Sequence, residues 1–222
     1  GALRKELPFS DFRTQVWYTE PLAAGRATWT SVYNWVDNPS VTVVGLGRPV
    51  TLPGSSSPLV VGVDLFLATS CDYLATLDVS PGAHVFIVDR DGRMVGSSHG
   101  GARVDGAGGQ RESVQAVEAA DPLIRAAALR VQQDVGGYAT VRTALLSEFH
   151  LDGARHFLRI SPWRDALGLD WLIVVVVPEA DFTATIDANL RLTLAAGAVL
   201  LGLTLGLTLL MARHISRPLR RM

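Results

Sequence analysis

The sequence predicts an α+β fold: antiparallel sheets with a few packed helices, arranged as two successive units and followed by a C-terminal transmembrane helix. Three observations predict it. Short segments rich in β-branched and aromatic residues alternate with turn material. A pair of apolar stretches closes around an Asp-Gly turn near the middle of the chain. Residues 192–212 form an uncharged apolar run.

Taken in order, residues 27–33 (ATWTSVY), 41–50 (VTVVGLGRPV) and 58–66 (PLVVGVDLF) read as three strands of one antiparallel sheet, separated by DNPS and TLPGSSS. The spacing then becomes helical, with Leu67, Cys71, Leu74 and Leu77 on one stripe, until DVSPG breaks it. AHVFIVDRDGRMVGSS reads as a hairpin, because Gly92 supplies the positive φ that its tight turn needs. A calcium loop would require a further acid before its glycine and a distal Glu, and neither is present. GGARVDGAGG reads as a mobile loop, and SVQAVEAADPLIRAAALRVQQDV as helix, with Pro122 marking a break or the first turn of a second helix. YATVRTALLSEFHL, DGARHFLRISPW and LDWLIVVVVPEADF complete a second antiparallel set, in which the IVVVV run predicts a central strand covered on both faces. TATIDANLRL continues helically into the apolar run.

That run is 21 residues long, and at the helical rise it covers roughly 30 Å, the hydrocarbon thickness of a bilayer. Arg213, Arg217, Arg220 and Arg221 crowd one flank, so the positive-inside bias places the C-terminus in the cytoplasm and residues 1–191 outside. A buried core helix rarely stays uncharged for so long, and a signal peptide would be N-terminal. Gly1 is not an initiator and the basic stretch after the span has barely begun, so the chain is expected to be a segment of a longer protein with a first membrane helix upstream. Hydrophobic residues at 48% with a net charge of −1 leave no basic field for nucleic acid. The single cysteine, Cys71, forms no intrachain disulfide and reads as a small hydrophobe.

The order of these parts resembles the double Cache family, tandem PAS-like extracytoplasmic sensors of bacterial chemoreceptors, sensor kinases and membrane cyclases. The resemblance is carried by VWYTEPLAAGRATWTSVYNW, LVVGVDLFLATSCDYLATL, AHVFIVDRDGRMVGSS and LDWLIVVVVPEADF, in the family's order. It implies a membrane-distal lobe at residues 9–77, a membrane-proximal lobe at 78–182, the transmembrane helix at 192–212, and at 213–222 (RHISRPLRRM) the start of a HAMP signalling helix. It also implies a small-molecule ligand in the distal lobe, a homodimeric receptor, and a two-component or similar output. In family members that bind amino acids and amines, the distal pocket uses an Arg-x-Trp-Tyr segment, further aromatics and the Asp of a Gly-Val-Asp strand. Trp17, Tyr18 and Asp64 match that pattern, whereas Gln15 stands where it has its Arg. The bidentate clamp for a carboxylate is therefore missing at that point. Trp35 stands near a second acid of the pattern, a part Asp37 could take only if its loop shifts.

The residues support the same site without the family. Trp17, Tyr18, Trp29, Tyr33 and Trp35 place five large aromatics within 19 residues, and Asp64 follows a buried strand. Aromatic faces and one carboxylate suit a small amine, while the alternative is that the aromatics pack a core and that Arg26 or Arg48 pairs with Asp64. Catalysis has no support: Gly45-Leu46-Gly47 lacks the third glycine and helix of a dinucleotide site, no nucleophile elbow occurs, and GSSS at 54–57 reads as a turn. No cofactor is implied. His150 and His156 raise a metal, but HLDGARH reads as crossing a hairpin turn. A ligand-sensing ectodomain of a transmembrane receptor is the first reading, and a membrane-tethered enzyme or adhesion module the alternative.

Overall fold

The computed structural model describes residues 11–54, 58–106 and 111–219, and within the C-terminal helix the side chains of 179–182 and 193–211. The expected turn at residues 55–57 lies outside the described residues, as do residues 220–222 of the HAMP-like tail. By internal contacts the chain forms two units, one running to Val177 and one starting at Pro178.

The first unit begins with α1 (Val16–Ala24), which ends at Gly25 in the left-handed conformation, φ 62°. Three short or long strands follow: β1 (Thr28–Trp29), β2 (Tyr33–Trp35) and β3 (Asn38–Val50), with β4 (Leu59–Phe66) after them. β1 and β2 share one edge of β3, and β4 pairs along its other edge with Gly45 opposite Asp64 and Gly47 opposite Gly62. The expected strand at 27–33 is thus split at Thr30, whose amide still donates to the Gly45 carbonyl at 2.8 Å but whose Oγ1 accepts the 3.0 Å bond from the Gly45 amide.

α2 (Leu67–Ala75) leads to a five-stranded antiparallel sheet in the order β6-β5-β11-β10-β9. Its strands are β5 (His84–Val88), β6 (Met94–Ser97), β9 (Leu145–Leu151), β10 (Ala154–Arg164) and β11 (Asp170–Pro178), so the IVVVV run is central as expected. Period-two alternation explains that run. Phe86, Val88, Leu172, Val174 and Val176 enter one core beneath α3 (Pro122–Val135), while Val85, Ile87 and Trp171 enter a second core with Leu67 and Leu74 of α2 and Val44 of β3. Both faces of β5 and β11 are dry, and the first sheet rests on the second through that second core.

The loops obey their turn chemistry. The β5–β6 turn has Gly92 at φ 81°, with Asp89 Oδ1 accepting from the amides of Asp91 and Arg93. The β9–β10 turn is Asp152-Gly153 with φ 50° and 79°, a two-residue hairpin of the primed type. Pro122 takes the first turn of α3, which Asp121 caps through bonds to the amides of Leu123 and Ile124. The segment read as a loop instead contains half of a two-stranded ribbon, β7 (Arg103–Asp105) with β8 (Arg111–Ser113), and residues 107–110 between them lie outside the described residues.

In the second unit, α4 (Glu179–Leu219) is one helix. Residues Thr193–Met211 meet the length and composition needed to cross a membrane, and none of that stretch is buried. A core helix would bury such a surface, so this is a candidate membrane span matching the expected 192–212.

Candidate functional site

A cleft of about 390 Å³ opens on the first sheet. Its floor is made of glycine. Gly45 and Gly47 lie on one face of β3, and across the ladder stand Asp64 and Gly62 of β4. A Cβ at Gly45 would lie 3.2 Å from both Asp64 Oδ1 and the Tyr33 hydroxyl, and one at Gly47 would be 2.5 Å from Pro21 Cγ. Missing side chains at these two positions let Tyr33 and Asp64 meet above β3 and let α1 close down on it.

The Tyr33 hydroxyl donates a 2.6 Å hydrogen bond to Asp64 Oδ1, reaching from β2 over β3 to β4. Burial pushes the Tyr33 phenol up, and its bond to the Asp64 carboxylate adds to that, so the phenol stays a donor at neutral pH. Neither Arg26 nor Arg48 pairs with Asp64 among the described residues; Arg26 donates to the carbonyls of Ala27 and Ala166. One oxygen of Asp64 is thereby held, and the carboxylate keeps further lone pairs for a ligand.

Two indoles wall the cleft. Trp17, in the first turn of α1, stacks on Phe12 at 5.9 Å, and Trp35 packs against Phe66 at 5.1 Å. Gln15 lines the cleft, and so does Asp37 from the β2–β3 hairpin tip, where a register shift between Asn34 and Trp35 brings the tip round. Among the described residues the lining therefore carries two carboxylates, Asp37 and Asp64, and neither a lysine nor an arginine.

Of the six residues expected from sequence, Trp17, Tyr33, Trp35 and Asp64 come together here. Tyr18 and Trp29 lie outside the lining. Tyr18 is buried, and its hydroxyl donates to the Pro58 carbonyl at 2.8 Å. Trp29 faces the second core, and its Nε1 donates to Asp165 Oδ2 at 2.6 Å in the β10–β11 connection. The backbone amide of Trp29 bonds to the Leu167 carbonyl of the same connection at 3.0 Å. The glycine floor is the sequence signal beyond these six residues: Gly45 and Gly47 fit no dinucleotide pattern, but glycine inside a strand marks a close approach.

His150 and His156 occupy opposite faces of the β9–β10 ribbon, since His156 pairs with Phe149 and His150 with Arg155. His156 is buried and stacked on Phe149 at 5.4 Å. Cys71 is half-buried, its Sγ 3.4 Å from where a Gly96 Cβ would stand.

No family model and no curated protein matches the sequence. Among solved structures, the chain is similar to the protein described as methyl-accepting chemotaxis protein X, with 18% identity over 77% of this chain and 57% of that one and a TM-score of 0.50. The ligand-binding domain of Mlp24 with asparagine is 16% identical over 82% of this chain and 64% of that one, TM-score 0.50. The ligand-binding domain of the Pseudomonas aeruginosa PAO1 amino acid chemoreceptor PctB, in complex with L-Arg, is 24% identical over 78% of this chain and 64% of that one, TM-score 0.48. The chain spans less than two thirds of the length of each of these structures. The first two establish the fold: mixed helices and antiparallel sheets as in chemoreceptor ligand-binding domains, with an apolar C-terminal helix added here.

Proposed function

We propose that this chain is the extracytoplasmic small-molecule-sensing region of a bacterial transmembrane signalling receptor, a sensor kinase, membrane cyclase or chemoreceptor. Its ligand is a small amine or amino-acid-like molecule held by Trp17, Tyr33, Trp35 and Asp64. One observation carries the ligand class: among the described residues the cleft is lined by two carboxylates and aromatic faces and by no cationic side chain. An ammonium there gains roughly 0.5 to 2 kcal/mol per ring face and charge-assisted hydrogen bonds from Asp64. Gln15 offers a ligand carboxylate only neutral hydrogen bonding.

In this reading residues 9–77 are the membrane-distal lobe, 78–182 the membrane-proximal lobe and 213–222 the opening of a HAMP helix, with residues 1–191 outside the cell. No catalysis belongs to the region. The receptor is a homodimer in the membrane. Ligand closure of the cleft shifts β2 and β4, and the strap from β1 to Asp165 and Leu167 passes that shift to the strand that runs directly into α4. A ligand can do this only by binding one signalling state better than the other.

The test is a thermal-shift screen of the whole chain in detergent micelles against amines, amino acids, purines and carboxylates, repeated with Asp64→Ala. A ligand at a hundred times its dissociation constant stabilises by about 2.7 kcal/mol. Stabilisation by amines or amino acids that Asp64→Ala abolishes supports the reading. Hits confined to carboxylates, or an unchanged response in Asp64→Ala, overturn it.

A further inference from the structure

A second cleft, of about 290 Å³, lies behind β2 and is lined by Asn34 and Thr42 on one side and by Arg93, Arg103 and Arg111, with one carboxylate, Glu112, on the other. Strand alternation creates the arrangement: Tyr33 and Trp35 serve the aromatic cleft while Asn34 turns the other way. In the β7–β8 ribbon Arg103 stands opposite Ser113 and Arg111 opposite Asp105, so all four share one face. Two guanidinium groups are thereby brought side by side beneath the first sheet.

These charges are poorly compensated by the protein. Arg103 Nη1 donates to Ser113 Oγ at 2.7 Å and Nη2 to the Val95 carbonyl at 3.2 Å, and no carboxylate pairs with it among the described residues. A guanidinium has five N–H donors, so the remaining three have no protein acceptor among the described residues. Burial pushes the Arg103 guanidinium down to about 10, against a weaker pull from Cys71, and the neighbouring Arg111 charge adds to the fall. Arg111 has one carboxylate partner, Asp105, at 3.3 Å, and that side chain is 85% exposed, so water screens the pair. Glu112 borders the cleft too, so three arginines face one carboxylate there; it alternates to the other face of the ribbon from Arg103 and Arg111, and its Oε1 would lie 2.5 Å from a Cβ on Gly106. On the opposite side the two arginines border another cleft, but that one carries Asp72.

We infer that Arg103 and Arg111, with Arg93, Asn34 and Thr42, bind a small oxyanion, a carboxylate or a phosphate, in the cleft between β2 and the β7–β8 ribbon. Arginine forks match the paired oxygens of both groups, and the Asn34 amide N–H adds a neutral donor, its Oδ1 accepting from the Thr42 hydroxyl at 3.4 Å. Burying a cation costs free energy unless an anion accompanies it, and the bound oxyanion supplies that partner to Arg103. Tyr33 lines both clefts, so the anion sits on the far side of the strand that presents Tyr33 to Asp64.

Isothermal titration calorimetry on the whole chain in detergent micelles, with sodium phosphate, sodium acetate and sodium chloride at matched ionic strength, tests this. Phosphate or acetate should bind saturably where chloride does not, and whichever of the two binds names the oxyanion. Arg111→Gln, at a half-exposed position that the fold tolerates, should weaken that binding about tenfold or more, the loss expected for one charge-assisted contact. Arg103→Gln should abolish it, with the Arg111 variant deciding the matter if that chain does not fold. No saturable heat from either oxyanion beyond chloride, or an unchanged affinity in Arg111→Gln, overturns the inference.

Discussion

Asp64 and Tyr33 meet only because residue 45 has no side chain. Gly45→Ala would set a Cβ 3.2 Å from both the Asp64 and Tyr33 oxygens, tighter than ordinary contact, so both must give way and their hydrogen bond is perturbed. The expected result is a ligand affinity about tenfold lower, near the net worth of one charge-assisted hydrogen bond. Tyr33→Phe should weaken the same ligand less, because Asp64 survives; equal affinity in both variants and wild type, measured by calorimetry, would sink this account of the floor. A second residue-level expectation concerns acid. The Asp170 carboxyl is held below the ordinary range by its bond from Arg90, against burial, with Arg164 adding at 2.8 Å. For Asp165 burial opposes ionisation, but bonds from the Leu169 amide, Trp29 and the Leu167 amide outweigh it. Depressed folded values mean that this stability is present above the unfolded carboxylate value, about 3.9, and lost as pH falls through the folded ones. Asp170→Asn should therefore lower the melting temperature at pH 7, and the gap to wild type should close in strong acid. A gap that widens in acid would contradict it.

Elements differ in how openly the sequence declares them, and the reason is periodicity. β5 and β11 announce themselves because their runs VFIV and WLIVVVV are unbroken apolar stretches that pack on both faces, and α3 because Asp121 and Pro122 mark its start. Asp121→Ala should cost about 1 kcal/mol in denaturant unfolding, while Asp121→Asn, which still accepts from the Leu123 and Ile124 amides, should cost much less. Equal losses would assign the effect to the 3.1 Å contact between Asp121 and His84 rather than to the cap. α1 was illegible for the opposite reason. VWYTEPLAA has no apolar stripe and carries Pro21 inside it, and its helix is held from outside, by Pro21 over Gly47 and by Glu20 accepting from Ser31 at 2.7 and 2.8 Å. The site shares this division. Trp17, Trp35 and Asp64 could be read as residue types in a run, but their meeting depends on the registers of β2 and β4 on β3, which no local pattern specifies.

At the scale of the whole molecule, the candidate span constrains how two copies of the chain can pair. Leu194, Leu200, Leu203, Leu207 and Met211 each expose well over half of their surface, which water does not tolerate and lipid does. Lipid removes the hydrophobic drive for helix pairing, so association must come from close packing. Ala198, Gly202 and Gly206 recur every fourth residue on one face of α4, and nothing of the chain stands within 4 Å of a Cβ placed on either glycine. That face would let two copies approach backbone to backbone. Cys71 is the sole cysteine, so a Cys71→Ser background reports a single introduced thiol cleanly. In native membranes Ala198→Cys should give a disulfide-linked dimer under mild oxidation, and Leu200→Cys, on the opposite side of the helix, should give little. Adding Gly202→Leu and Gly206→Leu should abolish the Ala198→Cys product, because the new side chains hold the backbones apart. Equal cross-linking at positions 198 and 200, or a product that survives both leucines, would remove this face from the proposed dimer and leave any pairing to the first unit.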